Sequence, residues 1–146
     1  MRRISCMLAL CWASPSHAID RPLSPGELCQ RSALVIVGEV TDQEAVFAED
    51  GSGRIETWVD VAVLRTLRGR APADSLRLVL PGGALAGLRL TVEHTPTLST
   101  DASYLFLLSP RAAGQGWRVV GGEAGALRTQ DVQGASLDVF GGCRAS

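Results

Sequence analysis

Apolar residues along this chain follow a strand rhythm for most of its length. Ala33-Leu34-Val35-Ile36-Val37-Gly38-Glu39-Val40 is an apolar run of strand length, and the pattern continues irregularly through Val46 and Phe47. Gly38 inside the run predicts a bulge or sharp bend of the kind small barrels need at their corners. Glu49-Asp50-Gly51-Ser52-Gly53 then reads as a hairpin turn. Beyond it the alternation is clear: Ile55, Thr57, Val59, Val61 and Val63 share one face, and Glu56, Trp58, Asp60, Ala62 and Leu64 the other. After a turn over Leu67–Pro72, further strands are predicted over Ser75–Leu80, Leu88–Val92, Ser103–Leu108, Trp117–Val120 and Ala126–Thr129. Pro81-Gly82-Gly83, Ser109-Pro110 and Gly121–Gly125 punctuate them, while Ala84–Gly87 and His94–Asp101 read as loop. One helix start precedes all of this. Ser24 is placed as N-cap, Pro25 at the first helical position and Glu27 to close a capping box, which predicts a helix over Pro25–Ser32 with Leu28 and Cys29 turned inward. The tail from Val132 to Ser146 fits a short helix or a short strand. Several short strands joined by turns, with one short helix, predict an all-β barrel or sandwich.

The N-terminus carries a different pattern. Met1-Arg2-Arg3 is followed by the apolar stretch Ile4–Ala13, and Ser14-Pro15-Ser16-His17-Ala18 then breaks it with small residues at Ser16 and Ala18. This is the tripartite layout of an export signal cut after Ala18, so residues 1–18 are read as a signal peptide and 19–146 as one domain. The stretch is too short for a spanning helix. A lipid-anchored alternative at Cys11 is disfavoured by Leu10, because the preceding residue should be small. Export places the protein in the periplasm or outside the cell, where cysteines oxidise. Cys6 and Cys11 leave with the signal, and Cys29 with Cys143 is then the candidate disulfide; two buried free thiols are the alternative.

Composition excludes several classes of function. The 146 residues are 46% hydrophobic and 20% charged, an ordinary globular balance. The formal net charge is −1; without Arg2 and Arg3 it becomes 12 basic against 15 acidic residues, or −3, which speaks against a nucleic-acid binder. All the basic residues are arginine and there is no lysine, so a Walker A lysine, a Schiff base and a Ser–Lys dyad are excluded. Two thiols and a single histidine beyond the signal do not make a structural zinc site. No cofactor is expected.

Candidate chemistry is sparse. His94 has Ser99 and Asp101 close in sequence, which allows a Ser-His-Asp arrangement on paper, although nothing resembles a nucleophile elbow. Glu44, Glu49 and Asp50 supply only a fragment of a calcium loop and read as a solvated hairpin tip. Glu93 and Glu123 flank turns, with no sign that they face each other as a glycosidase pair must. Arg65, Arg68, Arg70 and Arg77 form the one local basic cluster, and beside Trp58 they suggest a surface for an acidic polymer or single strand, against which stand the acidic balance and the edge-protecting role of surface arginine. An exposed Trp58 would anchor a partner.

The segment Cys29–Val40 resembles the opening of a family of uncharacterised secreted bacterial proteins that run from a short helix into an S-D-L-V-V-x-G-x-V strand. Val61–Gly69 is similar to that family's V-x-V-L-x-x-L-x-G segment, Pro81-Gly82-Gly83 to its P-G-G, Ser103–Leu108 to its Y-L-L-F-L strand and Val119–Gly125 to its V-V-G-G-x-x-G. Asp101-Ala102 stands where that family usually has Gly-Glu. The order of strands is also distantly similar to netrin-module and tissue-inhibitor-of-metalloproteinase domains. The resemblance implies an OB-like antiparallel Greek-key barrel of five to seven short strands. It implies no inhibitor function, because those modules use an N-terminal cysteine and several disulfides. The resulting expectation is an exported, non-catalytic binding module for a protein or glycan, not spanning a membrane, with Ala84–Asp101 as binding loop and Trp58, Arg65, Arg68, Arg70 and His94 as candidate contacts. The alternatives are a small secreted hydrolase using His94, and a structural or self-assembling envelope protein.

Overall fold

A computed structural model describes residues 21–112, 115–132 and 143. The chain enters through helix α1, Pro25–Arg31, built as its sequence predicts. The Ser24 hydroxyl accepts from the Glu27 N–H at 3.2 Å, and the Glu27 carboxylate accepts from the Ser24 N–H at 3.0 Å. Pro25 occupies the first turn, where its missing N–H costs nothing. At the other end the Ser32 hydroxyl donates to the Leu28 carbonyl at 2.6 Å, and the chain turns extended.

Strand β1 runs from Leu34 to Phe47 and is used twice. Residues 34–39 pair with β6 (Ser103–Pro110), while residues 35–47 pair with β2 (Ile55–Arg68) along nearly its whole length. The β1–β2 register shifts at Val35/Ile36, Val37/Gly38 and Val40/Asp42. These bulges coil the strand, and Gly38 permits it: a Cβ there would run into the Val61 side chain across the interior. Strand β3 (Ser75–Pro81) follows β2, and β7 (Trp117–Val119) joins β3 to β6. The pairing order β1-β2-β3-β7-β6 returns to β1, giving a five-strand near-barrel ring in which only the β3–β7 contact, at Leu78 and Trp117, is parallel. Strand β8 (Ala126–Arg128) extends the same edge of β6 beyond β7. The predominantly β, near-barrel fold with a small helical part is thus the one expected, with eight strands where five to seven short ones were predicted, two of them long, and one parallel contact in an otherwise antiparallel ring.

Two hydrophobic clusters hold it. Inside the ring lie Leu34, Ile36, Val40, Val59, Val61, Leu76, Leu78, Leu80, Tyr104, Phe106 and Leu108, the inward members of alternating strands, with Leu98 of the β5–β6 connection added to them. Outside it, Leu28 and Cys29 of α1 pack with Val35, Leu105, Leu107, Val120 and Cys143. The start of β1 and most of β6 are therefore covered on both faces, which is why Leu34–Val37 and Tyr104–Leu108 are unbroken apolar runs. Among the described residues no helix lies over the β2 outer face, so β2 alternates.

The expected flexible connection Ala84–Gly87 is instead part of a hairpin. Strands β4 (Gly83–Leu85) and β5 (Leu88–Leu90) pair antiparallel, joined at Ala86 (φ 52°) and Gly87 (φ 77°). Two successive positive φ values are what a two-residue hairpin turn requires, and Gly87 adopts one without steric cost. Helix α2 (Thr129–Val132) closes the described chain apart from Cys143. The expected signal peptide at residues 1–18 and most of the tail beyond Val132 lie outside the described residues. Among the described residues, no helix is long and apolar enough to cross a membrane.

Candidate functional site

The structure separates the residues that the sequence grouped. Arg68 lies against the covered side: its guanidinium donates to the Cys29 carbonyl at 2.8 Å, capping the end of α1. Arg65 and Arg70 are exposed further along the β2 end of the barrel. Of the four arginines in the basic cluster, only Arg77 meets Trp58. Its guanidinium sits 4.5 Å from the ring centroid, stacked on the indole.

His94 and the loop around it take a defined place. The His94 carbonyl accepts from the Glu123 N–H at 2.9 Å, and its side chain is exposed. Ser99 is committed elsewhere: its N–H donates to the Tyr104 hydroxyl at 2.8 Å, and its own hydroxyl accepts from Arg128 at 2.8 Å. Burial alone would push the Tyr104 phenol up; the Ser99 N–H and the Arg128 guanidinium bring it below the usual phenol range. Among the described residues no side-chain hydrogen bond links His94 to Ser99 or Asp101. Gln43 also donates to the Leu98 carbonyl at 3.0 Å, and the Asp101 N–H donates to the Val40 carbonyl at 2.7 Å. The second half of the Ala84–Asp101 segment is therefore tied to the barrel. Only its first half, the β4–β5 hairpin, projects, with Leu88 59% exposed.

The concave site lies on the uncovered outer face of β2 and β3. Glu56, Trp58 and Asp60 project outward from alternate positions of β2, and Arg77 and Val79 stand beside them on β3, opposite Asp60 and Trp58 in register. The β1–β2 turn walls one end with Glu49, Asp50 and Arg54; Arg111 and Gly116, flanking the β6–β7 turn, wall the other. Together they enclose a cleft of about 800 Å³, within the size range of small-ligand sites.

Three ion pairs line the cleft. Arg77 grips Asp60 through two bonds, at 2.9 and 3.3 Å. Arg111 binds Glu56 at 3.1 Å and is the most sheltered of the three, and Arg54 binds Asp50 at 2.6 Å. Hydrogen bonds from Ser52, reinforced by Arg54, hold the Asp50 carboxyl well below the usual carboxylate range. The bond to Asp60 raises the Arg77 guanidinium further, with Glu44 and Asp42 adding to it. Trp58 Nε1 is buried and has no hydrogen-bond partner among the described residues.

Sequence reasoning placed Trp58, Glu56 and Asp60 on one outward face but found no partners for the two acids. It missed Arg54 and Arg111 as well. The β2 alternation announces the outward carboxylates, whereas Arg111 follows β6 and reaches Glu56 only because the ring closes. Cys29 and Cys143 form a disulfide across 114 residues, with Cα atoms 5.3 Å apart. A buried structural disulfide of this kind belongs to oxidising surroundings. No protein-family model matches the chain, and no curated protein matches its sequence.

Proposed function

We propose that the protein is an exported, non-catalytic binding module whose ligand, a protein or glycan outside the cytoplasm, is held in the cleft over Trp58. The observation that carries this reading is the cleft itself: a preassembled concavity with an aromatic floor and side chains fixed in ion pairs, on a broad barrel face that no helix among the described residues covers. Prefixed side chains lose little freedom on binding, which favours recognition. A hydrolase centred on His94 needs a nucleophile and base within hydrogen-bond reach and a third group orienting the base. Ser99 is turned to Arg128 instead. Export through residues 1–18 belongs to the same proposal and is supported by the disulfide. The likeness to the secreted bacterial family and to netrin-module domains enters here too, as a relation of fold.

Capture of partners from envelope and secreted fractions on the immobilised, oxidised protein tests the reading. One saturable partner, lost with Asp60→Asn and retained with Leu88→Ser, is the expected result. The reverse dependence would move the site to the β4–β5 hairpin. A second reading, self-assembly, is favoured by the apolar exposure of Phe47, Leu64 and Leu88. Concentration-dependent sedimentation without any partner, abolished by Leu88→Ser, would support it over the first.

A further inference from the structure

The walls of the cleft carry both charges in near balance. Arg54, Arg77 and Arg111 face Asp50, Asp60 and Glu56 pair by pair, and Glu49 is the one carboxylate of the lining without an ion-pair partner among the described residues. A polyanion entering here meets a carboxylate beside every guanidinium, and a polycation meets a guanidinium beside every carboxylate but Glu49. Either encounter costs desolvation and like-charge repulsion.

Hydroxyl groups meet neither penalty. Each guanidinium has five N–H donors, and the three in the cleft commit only some of them: Nε and Nη2 in Arg54 and Arg77, Nη1 and Nη2 in Arg111. Each paired carboxylate likewise keeps lone pairs free. A fixed donor beside a fixed acceptor is the arrangement a hydroxyl uses fully, since it donates and accepts at once. Between these polar walls lie Trp58 and the buried Val79, apolar ground for the C–H face of a sugar ring. The Arg77 guanidinium carbon lies over the indole ring, 4.5 Å from its centroid, and adds its own surface to that ground.

We infer that the cleft takes an uncharged, polyhydroxylated ligand: a short stretch of neutral glycan. This rests on the binding-module reading and narrows it to one chemistry. Trp58 and Arg77 form the platform, and the pairs Asp60–Arg77 and Glu56–Arg111 hold the hydroxyls.

The test is an array of neutral oligosaccharides probed with the purified, oxidised protein, followed by titration of the leading sugar into ¹⁵N-labelled protein. The Trp58 indole resonance is assigned by Trp58→Phe, and heparin and oligo-arginine are titrated in parallel. The expected result is saturable movement of that resonance with a neutral sugar, at an affinity that scarcely changes with salt. Asp60→Asn and Arg77→Met, each with an unchanged circular dichroism spectrum, should each weaken it at least about tenfold. Salt-steep binding of heparin or oligo-arginine at the same resonance, with no neutral sugar binding, would overturn the glycan assignment and leave a binding module standing. So would an array without hits when an Asp60-dependent protein partner is captured. An array without hits and no capture by the folded protein would overturn both.

Discussion

The two outer sides of this barrel are made from the same kind of strand and have opposite fates. On one side α1 and the Cys29–Cys143 bridge lie over β1 and β6, and Val35, Leu105 and Leu107 are sealed beneath them. On the other, β2 and β3 have no such cover among the described residues, and the equivalent outward positions carry Glu56, Trp58, Asp60 and Arg77. The covered side must exclude water, so the positions beneath the cover, Val35, Leu105 and Leu107, are apolar. The open side has only one face committed to the core, and its outward positions are free to carry chemistry. On the proposed reading, stability is concentrated in the first and recognition in the second.

The largest break in this contrast should come from the disulfide. It joins residues 114 apart in sequence and both sulfurs lie in the covered cluster. A loop of that length corresponds to about 4–5 kcal/mol in the chain-entropy account. Cys143→Ser, or reduction of the wild type, should lower the unfolding free energy by an amount of that order, measured by urea unfolding under oxidising and reducing conditions. The cleft should keep its ligand affinity as long as the protein remains folded.

Truncation within the two sides gives the next contrast. Leu107 is fully buried under α1, and Leu107→Ala removes that packing and leaves a cavity, for a loss of about 2–5 kcal/mol. Asp60→Asn on the open side breaks a pair whose side chains are 45% and 40% exposed, which solvent screening limits to less than about 1 kcal/mol. Parallel urea titrations of the two variants measure both. Comparable losses would mean that the open side contributes to stability as much as the covered one, and the division of labour would fall.

The same contrast explains what could be read from the sequence. The runs Ala33–Val40 and Ser103–Leu108 announce strands because burial on both faces confines polar side chains to their ends, at Glu39 and Ser103. The β2 alternation assigns Trp58 to the outward set for the complementary reason. The capping box is legible because Ser24 and Glu27 are three residues apart and need no tertiary partner. Arg68 and Arg77 could not be told apart: both are arginines near the same strand pair, and only the fold sends one to a helix carbonyl and the other to an indole. The β4–β5 hairpin was hidden because Ala86 takes a positive φ that alanine rarely adopts, so the turn lacks its usual Asn or Gly at that position. The cleft as a whole depends on Arg111 reaching back to Glu56 across the closed ring, a contact between residues 55 apart. Local patterns carry no record of such a meeting.

The smallest expected effect sharpens the covered side at its entrance. The Ser24 N–H bonds to the Glu27 carboxylate, and with Arg21 and Arg31 nearby this keeps that carboxyl below its ordinary range. A carboxyl that binds its proton less tightly in the folded chain than in the unfolded one stabilises the fold above the unfolded pKa. That contribution is lost as acid takes the pH down through the lowered folded value. Stability measured against pH from neutral into the acid range should therefore fall, in part, through Glu27. Glu27→Gln removes this component of the slope, while the amide still fits the capping position. Ser24→Ala removes the reciprocal bond and should cost about 1 kcal/mol even at neutral pH. If Glu27→Gln left the acid limb of the curve unchanged, the capping box would be ornamental at the folding level, and α1 would owe its place to Leu28, Cys29 and the bridge alone.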